Sequence, residues 1–305
     1  MNKIDKELLA QLADLHSVKQ GSFNIRKNGE AVERKSTSEI EIIPKKDKSG
    51  IDIIVKPNVK DRSVHIPVII TMGGFNDLVY NDFYIGENSD VTIVAGCGIH
   101  NTGDKESRHD GIHSFHLEKN SKVKYVEKHL GLGKASVGKV LNPTTNIVME
   151  ENSEFVMETY QLEGVTYSNR ITKAKLKDGA KLVVTEKILT TDSQVAKTKF
   201  TTTLLGKNSS VQITSRSVAK DNSKQEFVSD VQGNNECFAH VECDGIVLNN
   251  AQIISTPKIV ANNPNASLVH EAAIGKIAGE QITKLKTLGL NEEEAEALII
   301  KGFLK

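Results

Sequence analysis

The chain has 305 residues, enough for a substantial core, with 39 basic and 39 acidic residues, no Trp and 5% aromatics. Zero formal charge removes the electrostatic footprint of a nucleic-acid binder, no apolar run approaches the ~18 residues of a membrane span, and few aromatic platforms are available for sugars. Three cysteines without framework spacing point to a reducing compartment, and the opening "MNKIDKELLA" lacks a signal-peptide apolar region, so a cytoplasmic location is expected.

Residues 4 to 15, "IDKELLAQLADL", place Ile4, Leu8, Leu12 and Leu15 on one helical face with Leu9 beside it, which predicts a short amphipathic helix. The polar stretch 19 to 39 reads as a linker with room for one hairpin. From about Glu39 to Ala272 the texture changes to short β-rich runs such as "EIEII", "VTIVAG", "KLVVTEK" and "SVQITSRSV".

Between these runs a small motif recurs. "YIGENSDVTIV", "HLEKNSKVKYV", "VMEENSEFVME", "KLKDGAKLVVT" and "LLGKNSSVQIT" each carry Asn or Gly, a small residue, then a β-run. The small residues are Ser89, Ser121, Ser153, Ala180 and Ser209, at intervals of 32, 32, 27 and 29. Two further copies, "LNNAQIIS" and "NPNASLVH", set Ala251 and Ala266 only 15 apart. Asn and Gly tolerate the left-handed backbone of a tight corner, and small residues can stack on their counterparts in the next coil. The pattern predicts a mainly β fold: a right-handed parallel β-helix, flattened into two main sheets per coil, rather than an antiparallel sandwich.

The chain ends in two predicted helices. Ile282, Leu285 and Leu288 form one stripe, with Gly289 placed as C′. Asn291 as N-cap and Glu294 at N3 open the second, which carries Ala295, Leu298 and Ile299 before Phe303 and Leu304. The pair reads as a cap on the open end of the solenoid or as a docking surface. The expected organisation is an N-terminal helix and linker (1–38), a β-helix core (39–274) and a C-terminal helical segment (275–305).

"HVECDG" (240–245) sets Cys243 between two acidic residues. In a strand, His240, Glu242 and Asp244 face one way while Val241 and Cys243 face the other. Glu271, in "LVHEAAIG", follows Cys243 by 28 residues, about one coil, so the two are expected to stack, with His270 beside them. Thiolate, carboxylate and imidazole are the side chains that bind iron and its neighbours. Because His270 and Glu271 alternate across a strand, a second protomer is expected to supply one of them. Cys97, His100, His109, His113 and His116 crowd the tract 96–116, with His129 further on, but match no compact zinc spacing. Polar interior stacking or solvation is the expected role for this tract, and Cys237 is expected in the core. No P-loop, nucleophile elbow or dinucleotide fingerprint is present.

"HVECDGIVLNNAQIISTPKI", "NPNASLVHEAAIGKI" and "LGLNEEEAEALIIKGFL" together resemble the SufB/SufD proteins, β-helical scaffold subunits of the SUF iron–sulfur cluster assembly system; the likeness covers roughly 50 to 305. The resemblance implies a non-catalytic scaffold that works with a SufC-like ABC ATPase docked on the C-terminal helices. It implies that Cys243 receives sulfur and holds a nascent, transient iron–sulfur cluster, with Glu271 as a ligand beside it and His270 serving the subunit interface. Both feature sets lie in one chain, which implies a homodimer, with a sulfur donor and recipient apoproteins as further partners. Two other classes fit a β-helix: a carbohydrate-active enzyme, which needs an acidic and aromatic cleft, and an inert interaction module.

Overall fold

A computed structural model describes residues 3–13, 21–134 and 136–305. Helix α1 (Lys3–Ala13) is followed by two hairpins, β1 (Ser22–Lys27) with β2 (Glu30–Lys35), and β3 (Ile40–Pro44) with β4 (Gly50–Val55). The chain then alternates between two sheets through β5 (Arg62–Ile70), β6 (Asn76–Ile85), β7 (Asp90–Asn101), β8 (Ser107–Leu117) and β9 (Lys122–Gly133). A strand broken at Pro143 comes next, as β10 (Lys139–Leu141) and β11 (Thr144–Met149). It continues through β12 (Glu154–Glu163), β13 (Tyr167–Leu176), β14 (Lys181–Thr190), β15 (Val195–Leu204), β16 (Ser209–Ala219), β17 (Lys224–Gly233), β18 (Cys237–Val247), β19 (Gln252–Ala261) and β20 (Ser267–Gly275). Helices α2 (Gly279–Thr287) and α3 (Glu292–Phe303) complete it.

The first sheet runs β2-β1-β5-β7-β9-β12-β14-β16-β18-β20 and the second β19-β17-β15-β13-β10-β8-β6-β4-β3, with β11 bridging β8 and β13. All pairings from β5 onward are parallel, as the repeat predicts for a two-sheet β-solenoid. The hairpin foreseen in the polar stretch is β1–β2, and β1 adds to the first sheet beside β5.

The corners follow from the motif. Asn88, Asn120, Asn152, Gly179 and Asn208 all have φ between 56° and 65°. The following serine closes each turn: Ser89, Ser121, Ser153 and Ser209 donate to carbonyls three residues back at 2.6–2.7 Å. All four are buried, so each hydroxyl is satisfied locally and can stack between coils. Asn120 donates to Asn88, and Asn88 to Asn58, extending a ladder along the edge. The opposite corners use Asp192, Asp221 and Asn249 in the same left-handed conformation, so Ala251 and Ala266 belong to opposite edges of one coil.

Alternate residues of each strand point inward. Near the Asn-Ser edge the interior is apolar, with Phe83 stacked on Phe115 at 4.2 Å and Phe155 edge-on to Phe115 at 5.0 Å. Outside the first sheet, Leu8, Leu9 and Leu12 of α1 bury against Ile69 and Leu130, seated on Gly96 and Gly98. Ile4 stays exposed, because that seat lies under Leu8 and Leu12 only; Leu15 falls outside the described residues.

The two ends differ. Short antiparallel strands, β2 and β3, form the N-terminal edges of the sheets, whereas the C-terminal edge strands β19 and β20 are parallel to their neighbours and exposed along most of their length. The reading of the C-terminal helices as an end cap is therefore corrected. Helix α3 is fastened to the flank of the first sheet, by Lys220–Glu296 at 2.7 Å and by Lys187 Nζ donating to the Lys305 carbonyl at 2.5 Å.

Candidate functional site

Strand β18 alternates as expected: Cys237, Ala239, Val241 and Cys243 are buried, while Phe238, His240, Glu242 and Asp244 face out. Cys243 lies on the inner face, one strand from the uncovered end of the solenoid. Its inward neighbours along the stack are Ser215 in the preceding coil and Ala272 in the last one.

This register corrects one expectation. Phe238 pairs with Ser267, so the last coil advances by 29 residues, not 28, and Ala272 rather than Glu271 stacks on Cys243. A shift of one residue exchanges the two faces of a strand. Glu271 instead pairs with Glu242 on the outside, 66% exposed, with its carboxylate 3.5 Å from His240 Nε2. His270 pairs with Val241 and stands on the inner face. Cys243 and His270 thus share a face, one strand and two residues apart, or roughly 8 Å from strand spacing and rise.

The thiol's surroundings are polar. Burial raises the Cys243 pKa, Ser255 of β19 offsets part of that, and Glu186 and Asp244 push it up further. Glu186 is two coils back in the same inward row, where its carboxylate accepts from Ser215 Oγ at 3.0 Å and Thr198 Oγ1 at 2.9 Å. Ser255 Oγ is turned to the sulfur, whereas His270 Nε2, on the same inner face, is shielded from solvent and lacks a hydrogen bond. Burial lowers the His270 pKa, and His240 lowers it further, so the imidazole favours its neutral, ligating form. A soft sulfur and an unpartnered imidazole nitrogen on one face suit a thiophilic cargo. Among the described residues, no group of three or more His, Cys, Asp or Glu is arranged to hold a metal ion within one protomer.

Sequence reasoning missed Ser255, Ser215 and Glu186. None carries a chemical motif; only the inward parity of each strand, once the coil lengths are known, brings them to Cys243. The histidine tract splits by the same parity. Cys97, His109 and His113 point inward with His129 around a cavity of about 10 Å³, room for about one water. Each buried histidine has a partner there: His109 meets Asp77 at 3.1 Å, His113 meets Tyr125 at 2.8 Å, and His129 meets Arg170 at 3.2 Å. His116 lies outside, stacked on Tyr84, and His100 is on the outward face. Cys237 is buried as expected, and all three cysteines are free. No helix among the described residues is long and apolar enough to cross a membrane.

Helix α2 ends in the anticipated way: Gly289 has φ 96°, and the Gly289 and Leu290 amides donate to Lys286 and Leu285. The capping box of α3 is formed, Glu294 N to Asn291 Oδ1 and Asn291 N to Glu294 Oε2, both 2.9 Å. Leu288 (74%) and Leu298 (50%) remain exposed on this pair.

Fold and site define a thiol-bearing β-solenoid whose last coil is open. Residues 80–303 match the family model described as SUF system FeS cluster assembly, SufBD core domain. An iron–sulfur cluster assembly SufBD family protein of Archaeoglobus fulgidus is 30% identical over 231 residues, 74% of this chain and 60% of the relative. A protein of the same description from Methanothermobacter thermautotrophicus is 29% identical over 234 residues, 72% of this chain and 53% of the relative. The iron–sulfur cluster assembly protein SufB of Bacillus subtilis is 32% identical over 105 residues, 33% of this chain and 23% of the relative. The chain belongs to the SufBD family, and its match spans 53% to 60% of the two archaeal relatives' lengths.

Proposed function

We propose that the chain is a scaffold on which iron–sulfur clusters are built, itself non-catalytic and working beside a SufC-like ABC ATPase. The observation that carries this reading is Cys243, a free thiol one strand from an open end, with Ser255 set against it and His270 Nε2 left without a hydrogen bond on the same inner face. Cys243 receives sulfur and holds the nascent cluster, which is cargo, and His270 is the imidazole ligand or interface partner. Glu271 faces away from Cys243 within a protomer, so it is contributed by a second copy across a homodimer contact. The raised thiol pKa fits a site that is quiet alone, since sulfur reactivity needs a thiolate and incoming iron or a cation supplies the offsetting charge.

The ATPase docks on the C-terminal helices, where Leu288 and Leu298 leave apolar surface. Division into 1–38, 39–274 and 275–305, a cytoplasmic location, a sulfur donor and recipient apoproteins belong to the same proposal. The test is anaerobic purification with the ATPase, followed by iron and labile-sulfide analysis and by complementation of a cluster-assembly defect. Cys243→Ser is expected to abolish loading and His270→Ala to weaken it, while Cys97→Ser and Cys237→Ser retain function. Wild-type iron loading and full complementation by Cys243→Ser overturn the assignment.

A further inference from the structure

The coils differ in circumference, and one difference leaves a recess far from Cys243. In the first sheet Lys122 pairs with Glu154 and Glu154 with Lys181, advances of 32 and 27 residues, before Lys181 pairs with Ser210, an advance of 29. The short coil turns its corner inside its neighbours. Where it does so, a cavity of about 360 Å³ opens, lined by residues of three successive corners, among them Lys139, Leu162, Leu189, Asp192 and Gln194. Its inner wall is bare backbone: a Cβ on Gly131 would stand 2.2 Å from the Gly164 carbonyl oxygen, so only glycine lets the strands approach this closely.

Lys139 is 2% exposed and has no ion-pair partner among the described residues. Its Nζ donates to the Lys134 carbonyl at 2.7 Å and the Val137 carbonyl at 3.2 Å, which uses two of three donors. A buried, uncompensated ammonium is costly unless something supplies the counter-charge. Gln194 accepts from the Thr191 amide through Oε1, which fixes the side chain and leaves its NH₂ free to donate. Asp192, on the exposed rim, also has no ion-pair partner among the described residues. Leu162 and Leu189 add an apolar wall. Among the described side chains that line it, one cation, one amide donor, one anion and a small apolar surface, unpaired with each other, are the complement of a small zwitterion.

We propose that this recess binds a free α-amino acid, its carboxylate on Lys139 and the Gln194 amide, its ammonium toward Asp192 and its side chain against Leu162 and Leu189. A phosphate dianion fits less well, because one lysine faces it and Asp192 repels it. The site is independent of the cluster-assembly reading and stands or falls separately.

Calorimetric titration of the full chain with L-alanine, propionate, ethylamine and inorganic phosphate tests it. L-Alanine is expected to saturate in the millimolar range, with propionate about tenfold weaker and no saturation by ethylamine or phosphate, as loss of one charge-assisted contact predicts. Lys139→Met should abolish alanine binding, and Asp192→Asn should reduce it to the level of propionate. Should Lys139→Met fail to fold, Gln194→Ala replaces it, with alanine expected to bind about fivefold more weakly. No saturation by alanine, propionate binding as tightly as alanine, saturation by phosphate, or unchanged alanine binding in Lys139→Met or Gln194→Ala overturns the proposal.

Discussion

Burial and the Glu186 carboxylate both favour the protonated form of Cys243, yet the hydroxyl of a serine in its place would find Ser255 at hand. A hydroxyl left without a partner in a core costs about 1–3 kcal/mol. Cys243→Ser is therefore expected to change unfolding free energy by less than about 1 kcal/mol in urea titrations, whatever it does to cluster assembly. Among the buried histidines the sign of the pH response is fixed by His113. Burial outweighs the attraction of Glu127 and lowers its pKa to about 4, from 6.5. The folded chain then binds fewer protons than the unfolded one between these values, so this contribution is intact above pH 6.5 and is lost as pH falls toward 4, by about 3 kcal/mol. His129 is lowered too and adds in the same direction, whereas Glu186, raised by burial, gains stability as pH falls. Comparing His113→Gln with the parent chain at pH 7 and pH 5 isolates the first effect: the variant's stability should fall less. Which residues meet at Cys243 was only half legible beforehand. The face of Cys243 followed from alternation, but its neighbour depended on 28 against 29 residues, a difference set by the corner 262–266 and invisible to a motif spacing.

At the scale of elements, the corners were the readable part. Asn followed by Ser, spaced near 30, specified left-handed turns that the structure places at each Asn-Ser edge from Asn88 to Asn208. The opposite corners are harder to see because Asp192 and Asp221 carry the same conformation with a different residue, and at the second of them the left-handed Asp221 stands two residues before Ser223 rather than next to it. The C-terminal helices were legible in their caps and not in their seat, because a cap is local and a seat depends on which flank of the sheet is apolar. Helix α3 buries little, chiefly Ala295 and Ile300, so its capping box matters to it more than to the core. Asn291→Ala is expected to cost α3 about 1 kcal/mol, read as faster amide exchange across 292–303 with unchanged protection in β12 to β18. Truncation after Gly275 should leave the β-core folded and remove ATPase association. Undiminished capture of the ATPase by the truncated chain would show the docking assignment to be wrong.

For the whole molecule, the outward turn of Glu271 makes the proposed homodimer testable by mixing. If Cys243 of one protomer works with Glu271 of the other, Cys243→Ser and Glu271→Ala chains are each inactive alone. A mixed dimer of the two restores one intact site, so co-expression should recover about a quarter of the loading under random twofold pairing. If both residues act within one protomer, mixing recovers nothing. The unequal ends of the solenoid bear on how far such association can go. Strand edges invite further strands, but the N-terminal ones are blunted: β2 is six residues long and charged at Glu30, Glu33, Arg34 and Lys35, and β3 is five residues long, ends at Pro44, and has its Ile40 and Ile42 amides taken by Thr37 and Ser36. In a polymer chemist's terms the chain is monofunctional: it has one reactive end and one terminator. Two copies joined through their open coils leave only terminators outside, and growth stops. Deleting the two hairpins would turn the same sequence into a bifunctional monomer, and its product would be a fibre.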